Sequence, residues 1–449
     1  MRTLRQIAAE LLAGRVTSRQ LIEECLARIA DPGGEGAASF VVVYDKAARA
    51  TADWVDAMRK AGASLPEWAG IPVSIKDLFD VAGSVTTFAS GVMGDASPAT
   101  KDAAAVKRLR GAGFIPIGRT NMTEFAYGAI GLNARNGTPA AVWDRASRRI
   151  PGGSTSGGAI SLSDGMAYIA LGSDSGGSCR IPAAINGIVG YKPTRGRIPI
   201  EGANSMAPSL DSIGPLAVSV GCASIADAVL TGESVVPIRT RPIKGLRLGI
   251  PRPIALEGLD PPIATAIDRA IRMISDAGAS VSEVDLPELG DLPVINAKGG
   301  LTAPEYFAWH RAYIAKWADQ YDPRILKLIM RGRDFPAPDY LDLFRTREAM
   351  MNSVSAKTAA LDATIMPTVP IVAPRIDAIG DDEEYTRINT LLLRNTRVAN
   401  FLDLCAISVP CHAPGEMPVG LMLQGASAAD RSLFAIAASI EALVSPKLG

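Results

Sequence analysis

Two glycine-rich turns constrain this chain more than any other feature: "PGGSTSGGA" at 151–159 and "GSDSGGSCR" at 172–180, with Ser154 in the first and Ser178 in the second, 24 positions later. Glycine admits backbone angles closed to other residues and lets a backbone approach a ligand closely. Two such turns bracketing the helix-like "AISLSDGMAYIALG" point to a built site rather than two unrelated surface loops. In the second turn Ser178 stands directly behind Gly176 and Gly177. That arrangement exposes a hydroxyl beside free backbone N–H groups, as a nucleophile needs. The chain has only two histidines, His310 and His412, so an imidazole base is scarce.

A lysine can take that part if burial lowers its pKa, because desolvation disfavours the ammonium form. An unperturbed lysine, with pKa near 10.4, is neutral only about one part in a thousand at neutral pH. In "GIPVSIKDLFDVAG" Ile71, Val73 and Ile75 alternate before Lys76, which places the lysine at the end of a strand. A serine between lysine and nucleophile could relay the proton, since a hydroxyl both donates and accepts.

The rest of the chain alternates helix and strand. Thr17-Ser18-Arg19-Gln20 reads as a capping box ahead of Leu21, Ile22, Cys25, Leu26 and Ile29 at helical spacing. "SFVVVYD" reads as a strand; "AAAVKRLRGAGFIPIGRTN" and "PPIATAIDRAIRMISDAGASVSEVDLP" each read as helix, turn, strand. Residues 301 to about 360 read as mostly helical, a substrate-shaping segment or lid. "ATIMPTVP", "CAISVPCHAP" and "MPVGLMLQG" are strand-like, and "ADRSLFAIAASIEALV" is an amphipathic helix. This alternation predicts an α/β architecture. Length alone suggests about two or three domains, but with no repeat, low-complexity tract or long linker, one domain over 1–449 is expected.

Lys plus Arg and Asp plus Glu number 46 each, and no long run of like charge occurs, which argues against a nucleic-acid or acidic-membrane partner. No stretch approaches the roughly 18 apolar residues of a membrane span. The opening "MRTLRQIAAELLAGRV" lacks the unbroken apolar core of a secretion signal, so a cytoplasmic protein is expected. The five cysteines, Cys25, Cys179, Cys222, Cys405 and Cys411, include no CxxC pair. They predict small buried apolar residues rather than disulfides or a metal site. Neither a P-loop nor a GxGxxG turn is found, so no cofactor is expected. The absence of a GxSxG elbow also weakens a histidine-dependent serine hydrolase.

"GGSTSGGA", "GSDSGGSCRIPAA" and "GIPVSIKD" together resemble the amidase signature family. The likeness continues through "GRTNMTEFAYG" at 118–128, "GIVGYKPTRGRIP" at 187–199, "DSIGPLA" at 211–217, "MPTVPIVAP" at 366–374 and "MPVGLMLQG". The resemblance implies one domain with a large mixed β-sheet covered by helices on both sides. It implies a Ser–cisSer–Lys triad in which Ser178 is nucleophile, Ser154 the bridging serine after a cis peptide, and Lys76 the base. It also implies an oxyanion hole from the N–H groups of Ser175, Gly176, Gly177 and Ser178, and frequent homodimers. A substrate pocket is expected around Phe125, Ala126, Tyr127 and Gly128, with Thr155 and Arg180. For Arg180 an ion pair with Asp174 that fixes the loop is the simpler role. Glu305, His310 and Arg311 in the variable helical segment are further candidates for a polar substrate end. Thr155, Ser156 and Cys179 depart from the family pattern, as does "LDLCAIS", which lacks a glycine often found there.

The activity implied is hydrolysis of a small carboxamide to carboxylate and ammonia through an acyl-enzyme. Ureide hydrolysis of the allophanate or carboxybiuret type is equally compatible, and a silent binding relative is argued against by the intact Lys76, Ser154 and Ser178. The glutaminase subunit of a tRNA-dependent amidotransferase is disfavoured: the family pattern places an acidic residue seven positions before the asparagine corresponding to Asn400, and Leu393 stands there.

Overall fold

The structure is a computed structural model that describes residues 1–446. Eleven strands form one sheet: β1 (Phe40–Val43), β2 (Pro72–Lys76), β3 (Ile115–Thr120), β4 (Ile169–Asp174), β5 (Val189–Lys192), β6 (Ser212–Ala217), β7 (Arg247–Arg252), β8 (Ser280–Asp285), β9 (Ala363–Pro367), β10 (Cys405–Pro410) and β11 (Gly420–Gly425). Their order is β1-β3-β2-β4-β6-β5-β10-β11-β9-β7-β8. β3, β2 and β4 run parallel, as do β9, β7 and β8, and the other pairings are antiparallel. Every residue of β2, β3, β4, β5, β6, β10 and β11 is buried. Both faces of these strands are therefore covered, as near-continuous apolar runs such as "CAISVP" require. The edge strand β8 instead alternates outward with Glu283 and Asp285, charges that discourage pairing with another sheet.

Helices supply the cover. Thr17 caps Ser18–Ala30 with the reciprocal bond from Gln20, and Leu21, Ile22, Cys25, Leu26 and Ile29 form its buried face. Ser156–Ser163 packs on β2, β3, β4 and β6, while Val220–Thr231 and Asp430–Val444 pack on β6 and β10 respectively. The predicted helical segment is real, as Thr302–Trp317, Pro323–Met330 and Ala337–Thr358. Among the described residues no helix is long and apolar enough to cross a membrane.

One sequence expectation is corrected. The stretch between the two glycine turns is not helical throughout: the helix stops at Ser163, and "IALGSD" is the central strand β4. Its residues are buried on all sides, so the apolar run carries neither helical nor strand periodicity, and only its place beside β2 decides the matter. The change has a consequence for the site. β3, β2 and β4 are parallel neighbours in the register Lys76↔Thr120 and Ile75↔Leu171, so their carboxyl ends open on one edge. Ligands of open α/β sheets bind at such ends.

Candidate active site

Lys76 is the last residue of β2 and is fully buried. Its Nζ donates to Ser154 Oγ at 2.8 Å and to Ser173 Oγ at 2.9 Å. Burial pushes its pKa down to about 8, against the pull of Cys179, Asp174 and Asp211. Roughly one lysine in ten is then neutral at pH 7, some hundredfold more than for an unperturbed side chain. Asp77, the next residue, is tied to the buried Arg119 and accepts from Ala89 N at 2.9 Å, which anchors the strand end.

Ser154 follows a cis Gly153–Ser154 peptide. Its carbonyl accepts from Thr123 N at 3.1 Å, and Gly153 N donates to Ala129 O at 2.6 Å, so the turn is clamped to the segment after β3. Thr155 N in turn donates to Ser178 O at 3.3 Å, which joins the two glycine turns directly. Ser178 lines a cleft, and its Oγ makes no hydrogen bond with the described residues. The structure thus brings Lys76, Ser154 and the Ser178 turn together, with the Lys76–Ser154 bond formed.

The second turn carries unpaired donors beside that cleft. Gly176 O accepts from Thr396 Oγ1 at 2.6 Å and Gly177 O from Ile181 N at 2.7 Å, whereas the N–H groups of Ser175, Gly176, Gly177 and Ser178 have no acceptor among the described residues. Gly177 has φ +139°, and a Cβ there would collide with the Thr396 side chain and come within 2.6 Å of Ile181 Cδ1. Four unpaired donors on a turn of small residues can face a developing oxyanion.

Asp174 and Arg180 hold the turn from behind. Both are fully buried; Arg180 Nε and Nη2 reach the Asp174 carboxylate at 3.0 and 2.8 Å. Asn400 Nδ2 donates to Asp174 Oδ1 at 2.9 Å, and Asn400 Oδ1 accepts from Arg180 Nη2 at 2.7 Å. Asp174 is held down at about 2: burial alone would raise it, and Arg180 and Asn400 outweigh that. Replacing Arg180 by Met should strand this carboxylate and destabilise the protein by about 3–5 kcal/mol, as breaking buried pairs does. Urea unfolding measures it.

The cleft has a cavity volume of about 50 Å³, several times the ~10–15 Å³ that one water requires. Ala126, Tyr127, Gly128, Ser175, Gly176 and Ser178 line it. Three expected pocket residues lie elsewhere. Arg180 is spent on Asp174, Asn400 and Thr396 O. Phe125, at φ +50°, turns its ring away among Phe88, Trp309, His310 and Tyr321. Thr155 is buried ahead of the helix Ser156–Ser163, outside the lining. Glu305 and His310 also miss the cleft: Glu305 accepts from Tyr340 Oη at 2.7 Å, and His310 Nδ1 meets Tyr321 Oη at 2.9 Å. Burial drives His310 down to about 3, so it is neutral. Cys179 is buried with its thiol pushed up by desolvation, a poor rival nucleophile.

Ser173, Arg397 and Phe401, which sequence reasoning passed over, and Leu393 and Asn400, which it named only for the amidotransferase comparison, also lie at or beside the cleft. Ser173 lay inside the quoted turn motif but pointed to no chemistry alone. The helix Asp382–Phe401 sends Leu393, Arg397, Asn400 and Phe401 into the cleft wall, positions i, i+4, i+7 and i+8 of one helical face. A lone arginine on an otherwise apolar and amide-bearing face was the available signal.

The buried lysine, the two clamped serine turns and the unpaired N–H groups thus lie together at one parallel-strand edge. The family model for Amidase matches residues 20–434, and the chain belongs to that family, whose members act on carbon–nitrogen amide bonds. It is 35% identical to a 2-amino-5-chloromuconic acid deaminase of Comamonas testosteroni over 98% of this chain and 96% of that protein. It is 33% identical to a glutamyl-tRNA(Gln) amidotransferase component from Lacticaseibacillus paracasei, with 97% and 96% covered. A solved amidase crystal structure superposes with a TM-score of 0.89 at 30% identity, covering 99% of this chain and all of that one.

Proposed function

We propose that the protein hydrolyses a small carboxamide to carboxylate and ammonia through a seryl acyl-enzyme, with Ser178 as nucleophile, Ser154 as proton relay and Lys76 as base. The observation that carries the reading is the fully buried Lys76, lowered to about 8 and bonded to Ser154 Oγ beside the Ser178 turn. Neutral Lys76 draws a proton from Ser154, which takes the Ser178 proton as Ser178 Oγ attacks the amide carbon. The N–H groups of the 175–178 turn hold the oxyanion. The relayed proton passes to the leaving nitrogen, the carbon–nitrogen bond breaks and ammonia departs. Water then attacks the ester by the same relay, releasing carboxylate and restoring Ser178.

The amidotransferase reading is weakened by Leu393, which lines the cleft where the family pattern calls for an acid. A homodimer, suggested by the family resemblance, and a cytoplasmic location, suggested by the opening segment, are part of the proposal, and light scattering after size exclusion tests the dimer.

Ammonia release from a panel of amides tests the reaction, and trapping of the acyl group by hydroxylamine as a hydroxamate tests the intermediate. Turnover without trapped hydroxamate or acyl-enzyme mass would defeat the covalent route. Gly177→Ala should displace the donor row and lower kcat on the order of 10²-fold, the scale of a lost oxyanion donor. Steady-state kinetics beside a circular-dichroism spectrum checks it.

A further inference from the structure

Of the side chains lining the cleft, Arg397 alone carries a full charge; no Asp or Glu lines it. Arg397 is partly buried and makes neither hydrogen bond nor ion pair with the described residues. The contrast with Arg119 and Arg180, both buried and both paired with an aspartate, is instructive. A guanidinium cannot discharge itself to relieve burial, so an unpaired one in a cleft awaits an anion. Its planar fork matches a carboxylate bidentately.

The neighbours sharpen the match. The Tyr127 hydroxyl also has no partner among the described residues, and its ring stacks on Tyr306 at 4.1 Å. Burial holds that phenol up, against the pull of Arg331 and Arg397, so it stays a donor. The two acids beside the turn are occupied: Asp174 by Arg180 and Asn400, and Asp211 by Ser175, Ser205 and the N–H groups of Met206 and Ala207. Leu210, Leu301, Leu393 and Phe401 give the wall an apolar part, beside the neutral polar side chains of Asn296, Thr302 and Asn400. The cleft therefore offers a cation and a neutral donor, and no carboxylate to balance an ammonium group.

Resting on the amidase reading above, we infer that Arg397 is a specificity residue and that the substrate is a short amide bearing a carboxylate at its far end and no free amine. Arg397 grips the carboxylate while the amide carbon sits at Ser178.

The test compares succinamate with its neutral isostere succinamide and with L-glutamine, in the wild type, Arg397→Met and Arg397→Lys. Wild-type kcat/KM should favour succinamate over succinamide by about 10²-fold, the scale of removing one partner of a buried charge pair, with glutamine well below succinamate. In Arg397→Met that ratio should collapse to within a few-fold, chiefly through KM for succinamate, and Arg397→Lys should restore part of it. Equal loss on both amides would mark a merely structural role and overturn the inference, as would a wild-type preference for succinamide or glutamine. A binding arm separates this from failure of the chemistry. Succinate should raise the Tm of Ser178→Ala protein and leave the Ser178→Ala, Arg397→Met double variant unmoved. No Tm rise in the single variant overturns the carboxylate site, whereas a rise without turnover of any amide defeats the hydrolase reading alone.

Discussion

Ser178→Ala is expected to lower kcat by on the order of 10⁴-fold or more, the range seen when a serine nucleophile is removed, while Tm moves by less than about 2 °C. The two halves of this expectation come from the same geometry. Ser178 Oγ makes no hydrogen bond with the described residues, so its loss strands no buried partner. The turn itself is held by the Asp174–Arg180 pair, Thr396 and the Thr155 N–H, none of which touches the Ser178 hydroxyl. Ammonia release and a thermal melt on the same preparation read both. Activity within tenfold of wild type would remove Ser178 from the nucleophile position.

Lys76→Met should lower kcat/KM by about 10²–10⁴-fold, the share typical of a general base, and should also erase a pH inflection. In the wild type the neutral amine is the working form, so the rate should climb with pH up to about 8 and level off above it. Below that point activity falls tenfold per unit, because the proton on Nζ blocks acceptance from Ser154. The variant should lose that limb, and any residual rate should follow hydroxide. Stability should change by less than about 2 kcal/mol in either direction. Two hydrogen bonds, to Ser154 and Ser173, are lost, but an amine desolvated in the core is removed with them. A variant that keeps the wild-type inflection near 8 would assign the base elsewhere.

Much of this site was legible in the order of residues. Glycines are rare where strand and helix run on, so the doubled motifs around Ser154 and Ser178 stood out. The apolar alternation ending in Lys76 marked a strand terminus, and the capping box before Leu21 marked a helix start. These signals are local: each depends on backbone angles or on a period of two or 3.6 residues within one segment. Arg180 shows the limit. Its place beside the nucleophile favoured a loop anchor paired with Asp174 but left a pocket role open, and only the burial of Asp174 and Asn400 around it decided for the anchor.

The sequence by itself determined the α/β class, the two turns, the strand-end lysine and the scarcity of histidine, because near-neighbour sterics and hydrophobic period set them. Tertiary structure alone decided that "IALGSD" is a central strand and that Phe125 looks inward. It also decided that Arg397, 219 positions beyond Ser178 in the chain, shares its cleft without a counter-charge among the described residues. Those outcomes depend on parallel register across β3, β2 and β4 and on which face of Asp382–Phe401 the sheet edge meets. Contacts between distant segments leave no trace in the spacing of either one.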